Sequence, residues 1–284
     1  MLSQTAGPGA EVEELDRLTG LLAGRRLLAL TGAGLSTDSG IPDYRGPSSV
    51  PRSPMTYSEF RSGPVAQQRY WARSHLGWQH LHRADPNDGH RALAALERSG
   101  SLTALITQNV DGLHEAAGSR QVVDLHGRIS AVICLDCRER SDRERLHERL
   151  RAANPGFGQG VTPDVAPDGD AVVAGIEEFQ LVACMSCGGV LKPDVVFFGE
   201  NVPAERVDLC YALVEEAEAL LVAGSSLTVM SGLRFVRAAH RRGIPIAILN
   251  RGRTRGDDLA TLRVDQGCSP ALTHLAVALS PNRS

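Results

Sequence analysis

Four short apolar runs, at 27–30, 102–106, 220–223 and 246–249, punctuate the chain, and each gives way at once to a polar or glycine-containing loop. Runs of four or five apolar residues bounded by turn signals read as buried strands. The stretches 11–23, 86–98, 203–218 and 231–242 read instead as helices; in the first, Val12, Leu15, Leu18 and Leu22 fall on one side. Buried strands alternating with helices predict an α/β fold with a doubly wound parallel sheet. Ligands of such sheets bind outside the carboxyl ends of the strands, which here means the loops 31–46, 107–114, 224–228 and 250–252.

Two segments break the alternation. Residues 47–85 hold Pro47, Pro51, Pro54 and Pro64 and then the aromatic, basic run 69–73, so they predict a loop followed by helices. Residues 131–190 hold two cysteine pairs. Between the pairs, 10 of the 14 residues from 138 to 151 are charged, a pattern that predicts a solvated helix. The glycine and proline cluster at 154–170 predicts a surface loop, and 1–10 a frayed tail.

Composition narrows the function classes. A formal net charge of −3 over 284 residues argues against a dedicated nucleic-acid binder. The longest apolar runs fall far short of the ~20 residues of a membrane helix. The early acidic residues Glu11, Glu13, Glu14 and Asp16 fit neither a secretory signal nor an acid-poor presequence, so a cytoplasmic address is expected. Six cysteines are too few for a disulfide scaffold.

The loop after the first apolar run reads Gly32-Ala33-Gly34-Leu35-Ser36-Thr37, then Pro42-Asp43-Tyr44-Arg45. Glycine is needed where backbone turns sharply and approaches a pyrophosphate closely, which points to a dinucleotide. The usual fingerprint is incomplete, because Thr37 stands where the third glycine would be and no acidic residue closes a second strand about 20 positions on. Cys134, Cys137, Cys184 and Cys187 form two Cys-x-x-Cys pairs, enough thiolates to close a tetrahedral zinc site with no position left for water. A redox dithiol, or four buried thiols, is the alternative.

Six blocks in this order resemble the sirtuins, NAD-dependent protein deacylases, and look most like their class II branch: the loop at 32–46, Thr107 to His114, Leu125-His126-Gly127, the two cysteine pairs, Lys192 to Glu200, and Gly224-Ser225-Ser226-Leu227 followed by Leu249-Asn250. The resemblance implies a Rossmann-like NAD-binding domain from 11–46, 86–130 and 191–280, a loop and helical module at 47–85, and a zinc-ribbon module at 131–190. It implies one structural zinc ion, with NAD as co-substrate. NAD contacts would come from Gly32, Ala33, Gly34, Thr37, Pro42, Asp43, Tyr44, Arg45, Gln108, Asn109, Val110 and Asp111, and further along from Gly224, Ser225, Ser226, Asn250, Arg251, Gly252 and Cys268. Asp111 also reads as a helix cap, and an isolated Arg45 would read as a surface ion-pair residue.

The resemblance makes His126 the catalytic base: the acyl-lysine carbonyl oxygen displaces nicotinamide, and His126 then activates a ribose hydroxyl, so the acyl group leaves on ADP-ribose. Val195, Val196, Phe197 and Phe198 would line the acyl-lysine tunnel and pair with the substrate peptide edge to edge; taken alone they read as a core strand. Tyr70 and Arg73 resemble the pair with which class III members read acidic acyl groups, and otherwise read as packing and solvated residues. Acylated protein lysines are the implied partners, with no membrane or nucleic acid, and a monomer is the default. Mono-ADP-ribosyl transfer and a non-catalytic NAD sensor are the competing functions.

Overall fold

The computed structural model describes residues 8–45, 49, 53–159 and 175–280. The expected tail at 1–7, Pro47 and Pro51, and 160–170 of the expected surface loop lie outside these. In chain order, α1 (Pro8–Leu22) leads into β1 (Leu27–Thr31) and a short 3-10 helix (Ala33–Ser39). Then come α2 (Tyr57–Arg61), α3 (Pro64–His82), α4 (Asp88–Arg98), β2 (Leu102–Thr107), α5 (Leu113–Ala116) and β3 (Val122–Asp124). The middle of the chain forms β4 (Gly127–Cys134), β5 (Arg140–Asp142), α6 (Arg143–Ala153) and β6 (Leu191–Val195). It ends in α7 (Ala204–Glu216), β7 (Ala219–Ala223), α8 (Met230–Arg241), β8 (Ile246–Leu249), β9 (Leu262–Val264) and α9 (Cys268–Ala278).

Six strands form a parallel sheet in the order β3-β2-β1-β7-β8-β9. All five residues of β1, β7's Ala219–Ala223 and the four of β8 are buried, which is why these strands read as unbroken apolar runs rather than alternating ones. Helices α1, α4 and α9 cover one face through Leu18, Leu93 and Leu272, and α7 and α8 the other through Val214 and Phe235. The edge strands β3 and β9 have only three residues each; β9 gave no signal in the apolar pattern. The order reverses between β1 and β7, the switch point at which such sheets bind ligands.

The second sheet is antiparallel, in the order β5-β4-β6. β6 therefore pairs with β4; the expected boundary after 130 falls inside β4, and the one before 191 falls at the start of β6, which joins this small sheet. The two sheets meet at Leu125 and His126, where β3 ends and β4 begins. Gly127 turns the chain there with φ +80°, and a Cβ would stand 2.0 Å from the Asp194 carbonyl oxygen, so only glycine fits.

The charged run at 138–151 corrects a second expectation. Arg140–Asp142 is a strand, Asp142 caps α6 by accepting the Glu144 and Arg145 amides, and Arg143 and His147 are buried rather than solvated. The Arg143 guanidinium sits between Trp71 and Trp78 of α3, 5.1 and 5.2 Å from their ring centres. No helix among the described residues is long and apolar enough to cross a membrane.

Candidate active site

A cavity of about 540 Å³ opens at the carboxyl ends of β1, β2, β7 and β8. Its inner wall is the glycine loop after β1. The Gly32 amide donates to the Ala223 carbonyl (3.1 Å) and the Gly34 amide to that of Gly224 (2.8 Å), which straps the loop to the end of β7. Gly224 has φ +65°, and a Cβ on it would lie 2.3 Å from the Leu35 nitrogen. The glycines are thus consumed by loop-to-loop packing, and Ala33, first residue of the 3-10 helix, holds the amide that the helix itself cannot use. This bare backbone cradle fits a pyrophosphate.

On the floor, Asn109 donates from Nδ2 to the Gly32 carbonyl (3.1 Å) and Ser36 Oγ (3.0 Å). Ser36 in turn donates to Asp111 Oδ2 (2.7 Å), whose other oxygen accepts the Leu113 amide at the start of α5 (2.9 Å). Asp111 therefore faces the cavity and holds a helix start together. Burial raises its carboxyl pKa, against the hydrogen bonds from Leu113 and Ser36.

His126 lies at the junction of the two sheets. Nδ1 is 2.9 Å from the Gln108 carbonyl oxygen and Nε2 is 2.8 Å from Ser231 Oγ. Gln108 is fixed from its other end, its Nε2 donating to Ser225 Oγ (2.8 Å) and the Thr31 carbonyl (3.1 Å). Burial pushes the His126 pKa down to about 4, with the Gln108 carbonyl pulling it up and Arg206 adding to the depression. Two residues back, burial lifts Asp124 to about 7, opposed by Arg206 and aided by Asp111. Arg128 pairs with both Asp124 and Glu115.

The outer wall comes from the small sheet. After β6 the Val196 amide donates to the His126 carbonyl (2.7 Å), the Phe197 amide to Glu200 (2.9 Å), and the Phe198 carbonyl accepts the Tyr57 amide (2.9 Å). Lys192, the only lysine in the chain, is buried beneath this segment with Nζ 3.1 Å from Glu200 Oε2 and 4.6 Å from the Phe197 ring centre. Phe60 packs edge-on against Tyr70 and Phe197 at 5.5 and 5.4 Å, those two rings meet at a 45° tilt 5.1 Å apart, and Tyr70, Ile41 and Met55 complete an aromatic and aliphatic wall.

About one strand away, the four expected cysteines converge, and their sulfurs all lie within 4.8 Å of one another. Cys134 Sγ is 3.5 Å from Cys187 Sγ and Cys137 Sγ 3.8 Å from Cys184 Sγ. None is in a disulfide. Four thiolates about 2.3 Å from a tetrahedral zinc stand roughly 3.8 Å apart, so the cluster fits the metal.

Of the expected NAD residues, Gly32, Ala33, Gly34, Asp43, Tyr44 and Arg45 line the cavity, as do residues 108–111, Gly224, Ser225, Ser226, Asn250, Arg251 and Gly252. Thr37 instead donates to the Gly34 carbonyl within its own turn (3.0 Å), and Pro42 stands off the wall. Cys268 is the first residue of α9 and is buried with Sγ toward the Leu249 carbonyl. Val195 to Phe198 and Tyr70 line the cavity, whereas Arg73, one turn along α3, does not. Sequence reasoning missed Ser36, Glu200, Ser231 and Arg234, all of which line it. A usable signal for Ser231 was Gly232, a glycine early in a helix: a Cβ there would stand 2.6 Å from Gln108 Oε1, so its absence lets α8 close on the site.

Comparison with known proteins gives the following likenesses. A family model described as "Sir2 family" matches residues 32–231. The "NAD-dependent protein deacetylase 1" of Mycobacterium avium (strain 104) is 58% identical over 272 residues, 94% of this chain and 96% of its own. The protein of the same description from Streptomyces coelicolor is 54% identical over 277 residues, 95% of this chain and 92% of its own. A solved structure described as "Sir2 bound to acetylated peptide" superimposes with TM-score 0.73 at 30% identity, covering 91% of this chain and 95% of that one. "Sir2-p53 peptide-NAD+" does so with TM-score 0.73 at 32% identity and the same coverage.

Proposed function

Starting from a chain that belongs to the Sir2 family and is an NAD-dependent protein deacetylase, we propose that its chemistry is done at His126 in the cavity between the two sheets. When bound, NAD supplies an electrophilic ribose carbon with nicotinamide as leaving group. The cradle of Gly32, Ala33, Gly34 and Gly224 takes the pyrophosphate, Asn109 and Asp111 take the nicotinamide-side groups, and Asn250, Arg251 and Gly252 the adenosine side. Asp43, Tyr44 and Arg45 close over the ribose and exclude water. Val195 to Phe198 receive the acyl-lysine from the opposite wall.

The observation that carries this reading is the 2.9 Å contact between His126 Nδ1 and the Gln108 carbonyl oxygen. A backbone carbonyl only accepts, so the hydrogen bond at Gln108 O places a proton on Nδ1. Burial keeps the ring neutral near pH 7, which leaves the Nε2 lone pair directed toward the cavity side lined by Ser231. That nitrogen takes the ribose proton as the acyl group transfers. Zinc at Cys134, Cys137, Cys184 and Cys187 would close the small sheet and leave no position for substrate.

The acyl wall is aromatic and aliphatic, with Arg73 outside it, so we read the acyl preference as acetyl and other uncharged chains over succinyl and glutaryl. We further propose that the protein acts on acylated lysines of other proteins, as a monomer and in the cytoplasm. The test incubates the zinc-loaded protein with NAD and acetyl, long-chain, succinyl and glutaryl lysine peptides, following products by mass spectrometry. His126→Ala is expected to lower deacetylation by at least about a hundredfold, the usual worth of a general base. Undiminished deacetylation would remove His126 from the chemistry; ADP-ribose appearing on protein, with no deacylated peptide, would replace the reaction.

A further inference from the structure

One group stands between the base and the cavity. Ser231 is the second residue of α8, 8% exposed, and its Oγ is 2.8 Å from His126 Nε2. Because Nδ1 carries the ring proton, Nε2 of the neutral imidazole can only accept, so the serine hydroxyl is the donor. The lone pair assigned to the ribose proton is thus already taken, by a hydroxyl that itself lines the cavity. The placement is built in: Gly232 lets the first turn of α8 approach Gln108, the residue whose carbonyl holds Nδ1. The charged group that acts on His126 is Arg206, bonded to the Leu125 carbonyl at 3.2 Å.

We propose that Ser231 is a proton relay between the ribose hydroxyl and His126. As the ribose oxygen bonds to the acyl carbon, its proton passes to Ser231 Oγ while the serine proton passes to Nε2, leaving an imidazolium and a neutral serine. The transfer reverses when the amine leaves and takes the proton. A hydroxyl suits this because it donates to neutral Nε2 and accepts from protonated Nε2 without moving. The inference rests on His126 being the base and adds the path by which the proton reaches it.

The test separates the two halves of the reaction. Exchange of labelled nicotinamide into NAD, in the presence of acetylated peptide, reports nicotinamide displacement, which needs no base; formation of O-acetyl-ADP-ribose reports the step that does. For Ser231→Ala, exchange is expected to stay within about twofold while acyl transfer falls by about tenfold or more, part of a general base's usual 10²–10⁴. Ser231→Thr, which keeps a hydroxyl, should retain most of the transfer. An alanine variant that transfers acyl groups at the wild-type rate, or faster, would mean that the ribose reaches Nε2 directly and would overturn the relay. Equal losses in both steps would overturn it too, by assigning Ser231 to nucleotide binding. A His126→Ala enzyme with undiminished acyl transfer would fail the base itself, an outcome distinguishable because it leaves Ser231 with nothing to serve.

Discussion

The two sheets are held together by different means. The six-stranded half buries aliphatic side chains on both faces, and each strand delivers its loop to the site directly. The three-stranded half joins segments far apart in the chain: β4 pairs with β6, and Cys134 approaches Cys187 across 53 positions. Its core mixes the rings of Phe60, Tyr70, Trp71, Trp78, Phe179 and Phe197 with aliphatic side chains such as Ile129, Val132, Leu146 and Leu191, and it contains the buried cations Arg143 and Lys192. The proposed active site is the seam, and on that proposal the nucleotide side depends on the first half and the peptide side on the second. The first half coheres through its apolar layers alone, whereas the second adds to its apolar cluster a metal site and two buried cations.

The largest effect should come from the metal. Structural zinc in small domains contributes roughly 10 kcal/mol of apparent binding free energy, comparable to the whole stability of a domain. Chelation, or Cys187→Ser, is expected to abolish deacetylation and to strip amide-exchange protection from Gly127–Cys134 and Leu191–Val195 while sparing Leu27–Thr31 and Ala219–Ala223. The chain's two tryptophans, Trp71 and Trp78, both lie in the second half. Their fluorescence should change before the far-ultraviolet circular dichroism does. Simultaneous loss of protection everywhere would break the comparison and make the molecule one cooperative unit.

This difference also explains what the sequence made legible. Leu27 to Leu30, Leu220 to Ala223 and Ile246 to Leu249 form central strands buried on both faces, so their pattern needs no partner to be read. β9, three residues at the edge, is defined only by its neighbour β8. β6 looked like part of the large domain, because nothing local announces pairing with a strand some sixty residues earlier. In the site, the glycine loop and the cysteines were visible through spacing, whereas Ser231 lies 105 positions from His126 and no spacing rule connects them. Arg143 was hidden for the opposite reason, since a charge within a charged run predicts solvent and only the Trp71–Trp78 slot buries it.

A titration sharpens the comparison at intermediate size. Burial holds His75 at about 3, with neighbouring His147 and Arg143 adding to the depression, and His90 and His126 at about 4. These groups are lowered below the unfolded value of about 6.5, so the unfolded chain binds more protons between the two values. Stability is therefore present above pH ~6.5 and lost as the pH falls toward 4. Asp124, raised to about 7, and Asp111, also raised by burial, work the other way, but two carboxyls oppose five imidazoles, because burial lowers His114 and His147 as well. The melting temperature should fall steadily on acidification from pH 7 to 4.5. His75 stacks on His147 at 4.3 Å in the second half, and His90 packs on His114 in the first, so tryptophan fluorescence and circular dichroism should both move. A melting temperature that holds flat to pH 5 would show that these histidines are hydrated when folded.

The smallest effect concerns Arg143. Nη2 donates to the Ser74 carbonyl (3.1 Å) and approaches Ser74 Oγ (3.4 Å), while Nε and Nη1 have no hydrogen-bond partner among the described residues. The two tryptophan faces return about 2 kcal/mol for a desolvated cation, against a desolvation cost of several. Burial accordingly pulls its pKa down to about 10. On this balance the charge contributes little net stability and the side chain mainly fills the slot between Trp71 and Trp78. Arg143→Met, which fills most of that slot without the charge, should change unfolding free energy in urea by less than about 1.5 kcal/mol. Arg143→Ala, which leaves the slot open, should cost about 2–4 kcal/mol. If methionine costs as much as alanine, the cation itself holds α6 to α3, and ionic contacts then stand beside the metal as the cohesion of the second half.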